Sequence, residues 1–120
     1  MIVLFGCGGN RDSVKRTIMG RVAGELADYC ILTNDNPRYE NPKEILAQIE
    51  EGICKTECEY IVIENRREAI RHALKQARPG DVIILAGKGH ETYQEICGVK
   101  YPFDEKVIVG QLLDEMEKNQ

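Results

Sequence analysis

Three short stretches of this 120-residue chain combine unusual backbone chemistry with charge. Asp35-Asn36-Pro37-Arg38 sets an acid, an amide, a rigid corner and a guanidinium side by side. The Arg38 fork fits a carboxylate bidentately, and Asp35 complements an ammonium. Pro37 fixes its own φ and pushes Asn36 towards an extended conformation, so the groups sit on a stiff corner. The tetrapeptide can therefore read a small zwitterion, although the same residue types also build plain surface turns. Gly6-Cys7-Gly8-Gly9-Asn10-Arg11-Asp12, with Lys15 and Arg16 behind it, follows an apolar run. Glycines there let backbone N–H groups close on a phosphate or carboxylate, or simply make a tight turn. Gly87-Lys88-Gly89-His90-Glu91 follows a second apolar run. In it Lys88 suits an anion, Glu91 an ammonium, and His90 proton transfer or orientation, though a lone histidine is often structural.

Other chemistries are excluded by position. Arg11 stands where a dinucleotide fingerprint needs its third glycine. Gly87-Lys88 is followed by glycine, not by a hydroxyl residue that could hold magnesium, so unaided ATP cleavage is not expected. No nucleophile is paired with a base, and no catalytic residue is assigned to the chain. Cys54-x-x-x-Cys58 has no second ligand pair at zinc-like spacing, so no metal site is expected. The net charge of -4 argues against nucleic acid. Arg66, Arg67 and Arg71 read as a solvated helix face. No run approaches the ~20 apolar residues that cross a membrane. Five cysteines without a secretory signal suit reduced thiols in the cytoplasm.

The elements that must carry these stretches alternate. Residues 2–5, 29–33, 60–63 and 81–86 are short apolar runs, the last reading as a central strand, with edge strands expected between Tyr93 and Val99. Residues 15–27 form a helix with Ile18, Met19, Val22, Ala23 and Leu26 as its buried stripe. Asn41-Pro42 opens a second helix. Asn65 caps a third, with Glu68 completing a capping box, and residues 104–118 form the last. A Rossmann-like three-layer α/β/α domain follows, spanning residues 1–120, with a mostly parallel sheet of about six strands. Ligands of such sheets bind beyond the carboxyl ends of the strands, where all three stretches lie.

In this order the stretches resemble the C-terminal domain of the Mur ligases, most closely their diaminopimelate-adding branch. The matching residues are Phe5-Gly6-Cys7-Gly8-Gly9-Asn10-Arg11-Asp12 with Lys15-Arg16 and Met19-Gly20; Thr33-Asn34-Asp35-Asn36-Pro37-Arg38; Arg66-Arg67-Glu68-Ala69-Ile70; Leu85-Ala86-Gly87-Lys88-Gly89-His90-Glu91-Thr92-Tyr93-Gln94; and Tyr101-Pro102-Phe103-Asp104. Glu64-Asn65 departs from the family, which more often has Asp before the two arginines.

The resemblance implies a part of an ATP-dependent ligase of peptidoglycan synthesis. In the full enzyme, ATP and Mg2+ are held mainly by a central domain. The D-glutamate carboxylate of UDP-MurNAc-L-Ala-D-Glu is activated as an acyl phosphate, and meso-diaminopimelate attacks it. The UDP-binding and central domains are expected to be absent from this chain, which should be inactive alone. The resemblance assigns the amino-acid contacts to Arg11, Asp35, Asn36, Pro37, Arg38, Gly87 and Glu91, and a nucleotide-facing side to Asp12, Lys15, Lys88 and His90. Two other readings stay open: a free-standing amino-acid or nucleotide sensor, and a related ligase domain for another amino acid.

Overall fold

The computed structural model describes residues 1–7, 14–86, 93–97, 99–102 and 104–118. Its elements, in chain order, are β1 (Ile2–Phe5), α1 (Val14–Leu26), β2 (Tyr29–Leu32), α2 (Pro42–Ile53), β3 (Glu59–Val62), α3 (Arg66–Gln76), β4 (Ile83–Leu85), β5 (Tyr93–Ile96), β6 (Val99–Pro102) and α4 (Glu105–Lys118). The first four strands form a parallel sheet in the order β3-β2-β1-β4. In it Phe5 lies opposite Leu32, Leu4 opposite Leu85, and Leu32 opposite Val62.

Alternation along the strands divides the core. Ile2 and Leu4 of β1 join Ile31 of β2 on one face, where Ala69, Ile70 and Ala73 of α3 and Ile108 and Leu112 of α4 cover them. Phe5, Cys30 and Leu32 point the other way, onto Ile45, Leu46, Ile49 and Ile53 of α2. Period-two alternation between two apolar faces is what a sheet covered on both sides requires. The three-layer α/β/α architecture is thus the one expected.

The strand count is not. Among the described residues the sheet has four strands, all parallel, and β5 and β6 form a separate antiparallel pair with Tyr93 opposite Pro102. Only Cys97 and Gly98 join them in sequence, and Cys97 is left-handed at φ 50, as a tight hairpin demands. Local closure therefore wins over extension of the sheet. β4, expected at the centre, lies at the edge of the described sheet, and Ile84 is 40% exposed there. The chain lays β2 and β3 on one side of β1 and crosses to the other side for β4, which ends the described order.

α1 departs from expectation in its facing. Ile18, Val22 and Leu26 are 55%, 46% and 71% exposed, whereas Arg16, Gly20 and Gly24 are buried. A Cβ on Gly20 would lie 2.1 Å from the Ile49 carbonyl oxygen, and one on Gly52 would lie 1.9 Å from that of Thr17. The two helices meet backbone to backbone along their glycines, and this contact turns the apolar stripe outward. The Ile18 side of α1, with Val3, Phe5 and Ala86, borders an open apolar groove of about 300 Å³.

The caps follow the sequence. Asn41 Oδ1 accepts from Lys43 N at 2.9 Å, with Pro42 opening α2. Asn65 Oδ1 accepts from Glu68 N at 3.0 Å. The Glu68 carboxylate pairs with Arg71 at 3.3 Å, so the expected capping box is not completed: the salt bridge one turn on takes the carboxylate instead. Asp104 begins α4 from outside, accepting from Lys106 N at 3.1 Å. Among the described residues no helix is long and apolar enough to cross a membrane.

Candidate functional site

β2, β1 and β4 are consecutive in the sheet, so their carboxyl ends lie side by side. The order reverses between β1 and β4, and such a switch point opens a crevice for ligands. Gly6 makes the first junction possible. A Cβ there would lie 2.2 Å from the Thr33 oxygen and 2.9 Å from the Asp35 nitrogen, so only glycine lets the two strand ends lie flush. Thr33 is buried and tied on both sides: its N–H donates to Phe5 O at 3.0 Å and its hydroxyl to Glu64 O at 3.2 Å.

The corner at 35–38 is no surface turn. Asp35 is 8% exposed, Asn36 2%, and Pro37 is fully buried, while Arg38 is half-exposed. Arg38 has φ 53, a conformation that costs a non-glycine residue roughly 1–2 kcal/mol. The strain is held by the hairpin, because Cys97 N–H donates to Arg38 O at 2.6 Å. Arg38 Nη1 lies 3.4 Å from Asn36 O, a weak contact. Gln94 Nε2 of β5 donates to Asp35 O at 3.1 Å, so the hairpin grips the corner at both ends.

Two buried arginines frame the corner. Arg16 of α1 forms a bidentate pair with Glu40, both distances 2.8 Å, and donates to Gln48 of α2 at 2.8 Å. Arg66, at the start of α3, donates through Nε to Glu105 at 3.0 Å, through Nη1 to Asn34 O at 3.0 Å and through Nη2 to Ala86 O at 3.1 Å. It is buried, not part of a solvated face as its sequence neighbourhood implied. Arg67 and Arg71 do follow that expectation more closely, pairing with Glu115 near the surface. Sequence reasoning missed the roles of Arg16, Arg66, Gln94 and Glu105. One signal was present for Arg66: a cation in the first turn of a helix opposes the macrodipole, so a compensating partner elsewhere is to be expected.

Of the amino-acid contacts expected from sequence, the structure brings Asp35, Asn36, Pro37 and Arg38 together at the carboxyl edge. Arg11, Gly87 and Glu91 lie outside the described residues. On the nucleotide-facing side Lys15 is exposed on the first turn of α1, and Asp12, Lys88 and His90 lie outside the described residues. The residues flanking 87–92 are placed, however. Ala86 shares Arg66 with Asn34, and Gln94 holds Asp35 O, so both flanks are anchored against the 34–38 segment. Cys54 and Cys58 hydrogen-bond to different carbonyls, those of Glu51 and Ala27. No metal-binding group of three or more His, Cys, Asp or Glu occurs among the described residues.

Burial pushes the Cys7 thiol from 9.0 up to about 11, with Asp35 adding to the effect and Arg16 opposing it. Burial, then the neighbouring Cys58, pushes Cys30 from 9.0 up to about 12. Both shifts favour the protonated thiol in the folded chain. Above pH 9 the unfolded state loses these protons first and so binds fewer, and stability falls as pH rises until the folded thiols also ionise. Urea unfolding at a series of alkaline pH values should show a loss approaching 1.4 kcal/mol per pH unit per cysteine, roughly. A flat profile to about pH 11 would contradict the buried placement of both thiols.

The chain's relatives agree with this geometry. Residues 1–89 match the family model described as the Mur ligase glutamate ligase domain. The UDP-N-acetylmuramoyl-L-alanyl-D-glutamate–2,6-diaminopimelate ligase of Caldanaerobacter subterraneus subsp. tengcongensis is 67% identical, over 98% of this chain and 24% of its own length. The ligase of the same name from Cytophaga hutchinsonii is 48% identical over the same shares. A solved structure of a ligase with that name superposes with a TM-score of 0.91 at 45% identity, covering 97% of this chain and 24% of the other. The chain therefore spans about a quarter of the length of these relatives. With a family model covering most of its length and relatives this similar, the chain belongs to the Mur ligase family, as its glutamate ligase domain.

Proposed function

We propose that this chain is the amino-acid-binding domain of an ATP-dependent, cytoplasmic ligase that adds meso-diaminopimelate to UDP-MurNAc-L-Ala-D-Glu in peptidoglycan synthesis. The observation that carries this is the buried Asp35-Asn36-Pro37 corner, with Arg38 strained beyond it, at the switch point of the sheet. A left-handed arginine persists only where its surroundings over-determine it, and such outliers gather at binding sites. The names of the relatives support the substrate.

Meso-diaminopimelate carries a second amino-acid head that lysine lacks. Arg38 pairs with that head's carboxylate, and Glu91, where the resemblance places it, with its ammonium. Arg11, Asp35, Asn36, Pro37 and Gly87 complete the contacts. Lysine brings no second carboxylate to Arg38, and forgoing that pairing penalises its binding. For a fully buried charge that penalty is about 2–5 kcal/mol; Arg38 is half-exposed, so the lower end applies.

In the complete ligase ATP with Mg2+ supplies the activation of the D-glutamate carboxylate. The described residues fit only the edge of a nucleotide site, since exposed Lys15 can meet a phosphate presented from outside. Asp12, Lys88 and His90 are assigned to the same side. Most of the nucleotide site and the UDP-sugar site belong to other domains. This chain binds and orients the incoming amine, and alone it forms no amide.

Arg38→Ala is expected to weaken meso-diaminopimelate binding at least tenfold, about 1.4 kcal/mol, and to leave L-lysine binding no weaker, since the penalty goes with the guanidinium. Titration of the chain with each amino acid, followed by NMR, reads both. Equal weakening for the two ligands would refute the role of Arg38. Tighter binding of another amino acid would favour a related ligase domain, and ADP release by the chain alone would contradict the division of labour.

A further inference from the structure

We propose that Cys58 and Cys30 form a modification site that takes a hydroperoxide and answers it with a reversible disulfide. Neither thiol belongs to the amino-acid site. They lie near the amino ends of β3 and β2, at the opposite end of these parallel strands from the 35–38 corner. Cys30 stands in register with Tyr60, and Cys58 precedes Tyr60 by two residues, so period-two alternation puts all three side chains on the α2 face, against one apolar cluster. Both thiols are free. Cys58 Sγ lies 3.9 Å from Cys30 Sγ, and 3.4 and 3.3 Å from the carbonyl oxygens of Ala27 and Glu59. A disulfide holds its sulfurs about 2.05 Å apart, so the gap must close by roughly 1.9 Å. Cys58 can supply that movement. It precedes the first rung of the β2–β3 ladder, Tyr29 with Glu59, and its N–H donates to Thr56 Oγ1 at 3.3 Å, not to a strand.

The two thiols are unequally placed, and this fixes the order of events. Cys30 is fully buried, whereas Cys58 is half-buried and lines an open cleft of about 510 Å³ bordered by Arg21, Asp28, Lys55 and Glu57. A small hydroperoxide entering this polar mouth meets Cys58 first. The Cys58 thiolate attacks a peroxide oxygen and the O–O bond breaks. The sulfur is oxidised to a sulfenic acid, and the leaving alkoxide takes up a proton to become an alcohol, or water where the oxidant is hydrogen peroxide. Cys30 then attacks the sulfenic sulfur from behind. The S–S bond forms, the S–O bond breaks, and the departing hydroxide combines with the Cys30 proton as water. Two thiols and one hydroperoxide thus give one disulfide, one alcohol and one water. Burial, then the neighbouring Cys58, pushes Cys30 up to about 12, so it keeps its proton until the second step and is no target for peroxide itself. The pair stops Cys58 short of the sulfinic acid, a stage that thiol reductants do not reverse. Cys54 is the more exposed thiol, and its Sγ donates to the Glu51 carbonyl at 3.3 Å. Accessibility alone selects Cys54; a resolving thiol close behind selects Cys58.

The test treats the folded, reduced chain with hydrogen peroxide, alkylates the remaining thiols and maps the unreduced digest by mass spectrometry. The Cys30–Cys58 peptide is expected to exceed every other cysteine pair by about tenfold or more, and dithiothreitol should abolish it. In Cys30→Ala, Cys58 should accumulate as the sulfenic acid, captured by dimedone, and pass on to the sulfinic acid. In Cys58→Ser, Cys30 should stay reduced. A dominant Cys54–Cys58 link, oxidation centred on Cys54, or Cys58 driven to the sulfinic acid in the unaltered chain overturns the proposal. The same treatment in urea should scatter the links among the five cysteines. An equal Cys30–Cys58 excess there would owe nothing to the fold and would overturn the proposal too. Should Cys30→Ala fail to fold, the maps of the unaltered chain and of Cys58→Ser decide the matter.

Discussion

Gly52→Ala should destabilise the chain by about 3–4 kcal/mol and lower its melting temperature by roughly 10–20 °C. In an ordinary helix this substitution gains about 1 kcal/mol, because glycine has the poorer propensity. Here the new methyl would lie 1.9 Å from the Thr17 carbonyl oxygen and 2.9 Å from the Arg21 nitrogen. Both are backbone atoms of α1, so no side chain can rotate away and the helices must separate. Separation uncovers Ile49 and Ile53, which are fully buried. The steric term exceeds the propensity gain several-fold and reverses the sign. Gly110→Ala in α4 is the control: its Cβ meets nothing within 4 Å, so the propensity gain of about 1 kcal/mol should appear there undiminished. Thermal unfolding of the two variants checks both, and a Gly52→Ala chain as stable as the original would disprove the close contact.

The second large effect is expected at Glu40. Glu40→Ala removes both carboxylate oxygens that Arg16 pairs with, and Arg16 is only 2% exposed. Removing one member of a fully buried pair costs about 3–5 kcal/mol. The Glu40 side chain is 32% exposed and Gln48 remains on the guanidinium, so about 2–3 kcal/mol is the better figure. The loss should also reach the ligand site, because Glu40 N–H donates to Pro37 O at 3.0 Å and Arg16 thereby fixes the exit of the corner to α1. Arg21→Ala breaks a pair in which both side chains are more than half exposed, and should cost no more than about 0.5 kcal/mol. Urea unfolding separates the cases as a shift in midpoint at constant slope. Equal, small losses for Glu40→Ala and Arg21→Ala would show that the Arg16 pair is solvated.

The sequence made the periodic features legible. Its apolar runs locate β1, β2 and β3 to within a residue, and its caps mark the starts of α2 and α3, since Asn41-Pro42 and Asn65 state local rules that nothing overrides. It also expected three stretches beyond the carboxyl ends of the strands; the 35–38 corner lies there, and residues 8–13 and 87–92 lie outside the described residues. Facing was harder. The apolar residues of α1 form an acceptable stripe, but Gly20 and Gly24 permit a closer approach than any side chain allows, and proximity decided the orientation. The spacing of those two glycines was the available signal. Arg66 was misplaced because charge is normally solvated, and only a specific carboxylate and two carbonyls make its burial tolerable. The corner at 35–38 was identified as chemistry, but its burial depends on Gly6 and on a hairpin about sixty residues away in sequence, a partnership that no local pattern encodes.

The left-handed backbone at Arg38 has an evolutionary corollary. The residues most at ease with that φ are glycine and asparagine, neither of which is a cation. Folding preference and ligand choice thus oppose each other at one codon. Wherever selection for the two-headed amino acid is relaxed, drift at this position has a downhill direction, and the substitutions that accumulate should sturdy the domain while erasing its discrimination.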